Sequence, residues 1–203
     1  MTRKKRTEAS KVLRFLRLQT RYDILRTILG TLAGIASYLL LYLVVLPSYK
    51  LMGMLTVQIS LALLAIPVAA AFFGPLVGFM VGLLGTLGVD AFFTQQIIAL
   101  GVIDLSYGLL GFVSGIPHYN EGEGFSKGRR LGKLILFTMA GFALMVIVYL
   151  FGLLVVAGQN LLSTILYNFL PFFSVSLITL LFVTPVAVRV ADLVAGFAKE
   201  KAF

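Results

Sequence analysis

Cysteine is absent from the 203 residues, and histidine occurs once, as His118. The first absence excludes disulfides, thiol catalysis and cysteine metal sites, and the second excludes a histidine metal cluster. Charge is scarce as well: 12% of residues are charged against 60% apolar, about half the charged share of a soluble domain. No H-E-x-x-H, G-x-S-x-G or G-x-x-x-x-G-K-[ST] pattern occurs. Metal hydrolysis, serine nucleophile chemistry and ATP hydrolysis therefore lack their residues. Neither an enzymatic activity nor a cofactor is expected.

What is present is a set of long apolar runs, and they predict an all-α integral membrane protein built as a six-transmembrane-helix bundle. The spans are expected at about 27–46, 56–73, 75–89, 97–116, 134–157 and 161–188, the last interrupted by Pro171 and Pro185. Residues 1–26 form a basic lead whose mixed arginines and aliphatics (Val12, Leu13, Leu16, Ile24) suit an interfacial segment. Residues 27–190 form the membrane domain and 191–203 a short tail. The first span carries Gly30, Ala33, Gly34 and Ser37, small residues four apart that let a second helix approach closely. The stretch 73–90 reads F-G-P-L-V-G-F-M-V-G-L-L-G-T-L-G-V-D. Gly74 and Pro75 break one helix and start the next, and Gly78, Gly82, Gly85 and Gly88 then form a smooth stripe.

Charge placement orients the bundle. Of 17 Lys and Arg, nine precede Thr27, four lie in 127–133 and three follow from Arg189, leaving Lys50 alone elsewhere. With six spans, the amino terminus, the 117–133 loop and the carboxy terminus share one side, which the positive-inside rule makes cytoplasmic. The net charge of +9 thus belongs to the flanks of a bundle next to a lipid membrane, and no nucleic-acid partner is expected.

Polar residues within spans are costly unless satisfied. On this topology Gln58, Asp90, Gln95, Gln96, Asp104, Tyr107, Gln159, Asn160, Tyr167 and Asn168 all lie in the outer half or at the outer surface. Asp104 and Tyr107 stand three apart on one helical face. A one-sided cluster of carboxylates, amides and phenols fits a small polar ligand. We assign Asp104, Tyr107, Asn168 and Tyr167 as ligand-orienting groups, Asp90 and Gln96 at the mouth, and Tyr49 and Lys50 in a closing loop. Two outer acids against one outer base favour a cationic or amine-bearing ligand.

The six spans, the basic lead, the small-x-x-x-small first helix and the 73–90 stretch resemble the substrate-binding S component of an energy-coupling factor transporter. The resemblance implies capture of a vitamin or related micronutrient at the outer face. It also implies delivery through a membrane coupling subunit and two ATPase subunits, by toppling within the bilayer. In that family a small-residue motif on the first helix meets the coupling subunit, and here it maps onto Gly30, Ala33, Gly34 and Ser37, with glycines and serine replacing the usual alanines. The family's ligand site, between the outer ends of helices four to six and the loop after helix one, coincides with the polar residues above. Two other readings remain: a ligand-free membrane scaffold or assembly protein, which leaves the one-sided polarity without a purpose, and a stand-alone secondary carrier, which would need polar groups through the whole thickness.

Overall fold

The computed structural model describes residues 20–43, 49–51, 55–57, 61–94, 97–117, 125, 128–156, 160, 162, 165–166 and 170–200, with Leu16 and Leu18. The elements are α1 (Arg21–Leu43), a hairpin of β1 (Tyr49–Leu51) and β2 (Leu55–Val57), α2 (Leu61–Phe73), α3 (Pro75–Val89), α4 (Ile97–Gly115), α5 (Gly128–Phe151) and α6 (170–200). α2 opens with a 3-10 turn at Leu61–Leu64. α3 and α5 continue into wider π turns at Asp90–Thr94 and Gly152–Val156, and α6 contains one at Thr179–Val183.

Among the described residues six helices are therefore present. Four stretches, Arg21–Leu43, Pro75–Phe92, Gly128–Val155 and Phe173–Val194, are long and apolar enough to cross a membrane. Leu61–Phe73 and Gly101–Gly115 are apolar but shorter. The second span was expected to start at Thr56, but that residue pairs with Lys50 in the hairpin. The α2 rod that remains is about 20 Å long at 1.5 Å per residue, less than the roughly 30 Å of a hydrocarbon core. The hairpin is also the local exception to an all-α architecture.

The first helix starts earlier than Thr27 for a definable reason. The Thr20 amide donates to Asp23 Oδ2 at 2.9 Å, and the Asp23 amide donates to Thr20 Oγ1 at 3.1 Å. This reciprocal pair is a capping box, which satisfies two of the free amides at a helix start. Arg21 and Arg26 consequently belong to α1 itself and not to a separate lead segment.

The α2–α3 break falls at Gly74, whose φ of 104° is a conformation that a side chain would strain. Its amide still donates to Ala70 O, closing α2, while its carbonyl accepts from the Gly78 amide, opening α3 behind Pro75. From this turn α3 and α4 run antiparallel in close register. A side-chain carbon at Gly78 would stand 2.5 Å from Gly111 O, one at Gly82 would strike the Tyr107 carbonyl, and one at Gly115 would stand 2.5 Å from Pro75 Cα. The glycine stripe is thus a backbone-to-backbone seam, and it supports the most extensive helix pairing in the molecule.

α1 packs on the other side of α3. A carbon at Gly30 would meet the Phe73 ring at 2.7 Å, one at Gly34 would collide with Val81, and one at Gly85 would meet Tyr38 at 2.9 Å. Around these contacts lies the core, with Ile66, Val77, Val81, Leu110, Met145 and Leu180 fully buried. Large apolar side chains on the outer faces are exposed, among them Leu32, Ile147 and Phe182 at 60–65%. Such faces suit a lipid surround.

The two ends of the bundle differ. At the end bearing Arg26, its guanidinium donates to Phe72 O at 3.1 Å and sits over the Phe73 ring at 5.8 Å from the centroid. Phe125, from the connection between α4 and α5, is buried edge-on against Phe72 beside Ala71, Leu134 and Val188. Its amide donates to Asp192 Oδ2 at 2.7 Å, tying that connection to α6. This is the basic end. Asp90 and the hairpin lie toward the other.

Candidate functional site

Asp104 lies mid-way along α4 and is 1% exposed. The α3–α4 register that places Gly82 on Tyr107 carries Thr86 alongside Asp104, and the two side chains are within hydrogen-bonding reach. The Thr86 hydroxyl also donates along its own helix to Gly82 O at 2.7 Å. Among the described residues Asp104 Oδ2 has no hydrogen-bond partner. An unpartnered carboxylate oxygen inside an apolar bundle is costly, and something has to compensate it.

The second acid is Asp90, half-buried at the first residue of the π turn that ends α3. The wider turn replaces the regular α-helical ladder here, and π segments are common at functional positions. Asp90 and Asp104 are hydrogen-bonding neighbours. The structure thus brings together two acids that are 14 positions apart in the chain.

Phenols surround this pair. Tyr38 of α1, 6% exposed, is within electrostatic reach of Tyr42 and of both carboxylates. Tyr107 of α4 is within reach of Tyr149 of α5, of Tyr38 and of both carboxylates. Four helices, α1, α3, α4 and α5, therefore contribute one polar cluster. Of the residues expected from sequence, Asp104, Tyr107 and Asp90 converge. Tyr38, Tyr42, Tyr149 and Thr86 were missed. A signal did exist for the first two, since tyrosines four apart on an apolar helix share a face.

Other expected site residues do not enter this cluster in the described structure. Tyr167, Asn168 and Gln96 lie outside the described residues, as do Gln58, Gln95 and Gln159. Tyr49 and Lys50 form β1, whose backbone alone is described, and β2 of the same hairpin borders α6. Asn160 is exposed, and its side chain accepts from the Leu162 amide at 3.0 Å in a turn. It serves local geometry there.

The four small residues of the first helix divide into two pairs. Gly30 and Gly34 are buried against α2 and α3, so they pack within the chain and are not a free interface. Ala33 and Ser37 are exposed and line an apolar groove of about 270 Å³ between α1 and α2, walled also by Leu41, Val68 and Phe72. The groove contains neither carboxylate.

Among the described residues no three His, Cys, Asp or Glu side chains stand together as metal ligands. No protein-family model matches the chain, and neither a curated protein nor a solved structure matches it.

Proposed function

We propose that the chain is the substrate-capture subunit of an energy-coupling-factor-type importer. In this reading it is a multi-pass protein of the cell membrane, with both termini cytoplasmic. It binds a vitamin or related micronutrient from the outside and passes it on through a coupling subunit and two ATPases. The observation that carries this reading is Asp104: a buried carboxylate with an oxygen that no described residue satisfies, grouped with Asp90 and four phenols. A cluster of this kind has a purpose if a ligand completes it. Positive charge supports the orientation, because 16 of the 17 basic residues fall in segments assigned to the cytoplasm and the cluster faces away from them.

The resemblance supplies the transport step. Ala33 and Ser37 beside the α1–α2 groove are the part of the first-helix motif still open to a coupling subunit, with Gly30 and Gly34 allowing α1 to lie flat on the bundle. The deciding measurement is mass spectrometry of small molecules released when the detergent-purified protein is denatured. One vitamin-like compound recovered near one per chain is the expected result. An empty protein with no thermal shift across a vitamin panel would transfer the case to the scaffold reading.

A further inference from the structure

Thr138 of α5 and Thr184 of α6 are 0% and 1% exposed, and among the described residues neither hydroxyl has a hydrogen-bond partner. Hydroxyls elsewhere in the helices behave differently. Thr31, Thr86, Ser114 and Ser174 each donate to the carbonyl four residues back, at 2.7–2.8 Å, a common outlet for such a group inside a helix.

The two threonines share a level. Leu134 and Val188 belong to one buried cluster at the basic end, whereas Phe142 stacks on Phe173 with 5.4 Å between centroids, so α5 and α6 run antiparallel. Thr138 lies four residues after Leu134 and Thr184 four residues before Val188, each one turn from that cluster on the same helix face. A layer of two threonines is slimmer than the leucine–valine layer on one side of it and the buried Phe142 and Leu180 on the other. Helices held apart by those larger side chains leave room between the hydroxyls.

The backbone of α6 adds a third group. At the π turn Thr179–Val183 the Thr184 amide donates to Thr179 O, five residues back. Leu180 O thereby loses the amide that an α-helix would give it. The amide that a continued π-helix would give it belongs to residue 185, a proline, which has none. Leu180 is fully buried, so its carbonyl cannot turn to solvent.

We infer that one ordered water is bound at this level, held by Thr138 Oγ1, Thr184 Oγ1 and Leu180 O, and that it bridges α5 to the break in α6. Water matches the site in number and in kind. Buried waters make about three hydrogen bonds to polar groups that would otherwise be unsatisfied. This one donates to Leu180 O and forms one bond with each hydroxyl, which can donate or accept. A metal cation matches less well, since three neutral oxygens do not offset a charge inside an apolar bundle. The site lies near the basic end, away from Asp104 and Asp90, and stands whether or not the capture reading does.

The test is an experimental structure of the full chain, fine enough to show ordered water, with thermal melting of Thr138→Val, Thr184→Val, their double variant and Thr138→Ser. The expected result is a water within hydrogen-bonding distance of all three oxygens in the wild type, absent from Thr138→Val and retained in Thr138→Ser. Each valine variant should melt about 2–4 °C lower. The double variant should melt no lower than the worse single one, because both substitutions release the same water.

A direct Thr138–Thr184 hydrogen bond, or two hydroxyls donating to carbonyls of their own helices, overturns the inference. So do strictly additive melting shifts, or valine variants that melt as the wild type does. Stabilisation by sodium chloride over choline chloride that vanishes in Thr138→Val overturns it in favour of a cation. The wild-type density decides the site even if a variant fails to fold.

Discussion

The helix pair α3–α4 is built in two ways along its length. From Gly74 to Gly82 it is a close seam in which the backbones of Gly78 and Gly111 touch. One turn further on, the same pair holds Thr86, Asp104 and Asp90, with an Asp104 oxygen that no described residue satisfies. The seam places close packing where a substitution costs stability. The polar end leaves interaction energy unsatisfied, where a ligand can supply it. The difference is a physical one: close approach needs only small residues, whereas recognition needs polar groups with capacity left over.

Substitutions at the two ends should therefore have opposite signatures. Gly111→Leu should have the largest effect, since even its first carbon would collide with the Gly78 carbonyl. Overpacking of this kind costs about 1–3 kcal/mol or more, and against backbone the upper end applies. Loss of a monodisperse peak on size exclusion is the expected readout, and a wild-type melting curve would refute the seam. Phe125→Ala should come next, at about 3 kcal/mol for an emptied aromatic site, followed by Asp192→Ala at about 1–2 kcal/mol for the lost acceptor of the Phe125 amide. Both should lower the melting temperature without changing ligand affinity, because both act at the basic end.

Asp104→Leu tests the other half of the contrast. Replacing a buried carboxylate whose Oδ2 is unsatisfied by an apolar side chain should be neutral or stabilising by about 1 kcal/mol, while ligand binding is lost. A protein that unfolds instead would make Asp104 structural. Smaller still is the effect of Ser37→Leu, which should alter stability by no more than about 0.5 kcal/mol yet prevent co-purification with a coupling subunit. Gly34→Leu cannot serve for that purpose, since its side chain would enter the space of Val81 and disturb the fold itself. Gly132→Ala on α5 adds a carbon with nothing within 4 Å of it. Helix propensity alone predicts a gain of up to about 1 kcal/mol, and thermal melting will show whether the basic end tolerates it.

The legible part of the structure followed from two strong local signals. Hydropathy located six apolar helices, since an apolar run of span length has few other stable uses. The Gly74-Pro75 break was equally readable, because proline lacks the donor and glycine accepts the positive φ. Boundaries were less so. The Thr20/Asp23 capping box moved the start of α1 back to Arg21, and hairpin pairing removed Thr56 and Val57 from the second span. Asp104 stood out as the deepest acid in an apolar run. The four phenols did not, because tyrosine is common in membrane helices and its spacing along one helix cannot reveal which neighbour it faces.

Sequence alone determined the class of this protein: apolar helices in number, a charge-poor interior, and basic residues gathered at the flanks. These depend on composition and on local backbone chemistry, which each stretch carries with it. Only the tertiary structure decided that Gly30 and Gly34 are internal while Ala33 and Ser37 are exposed, and that Asp90 and Asp104 form a pair with phenols from α1, α4 and α5. Those facts depend on the rotation and register of one helix against another. Register is set by the Gly78–Gly111 seam, a contact between residues 33 positions apart that no local pattern encodes.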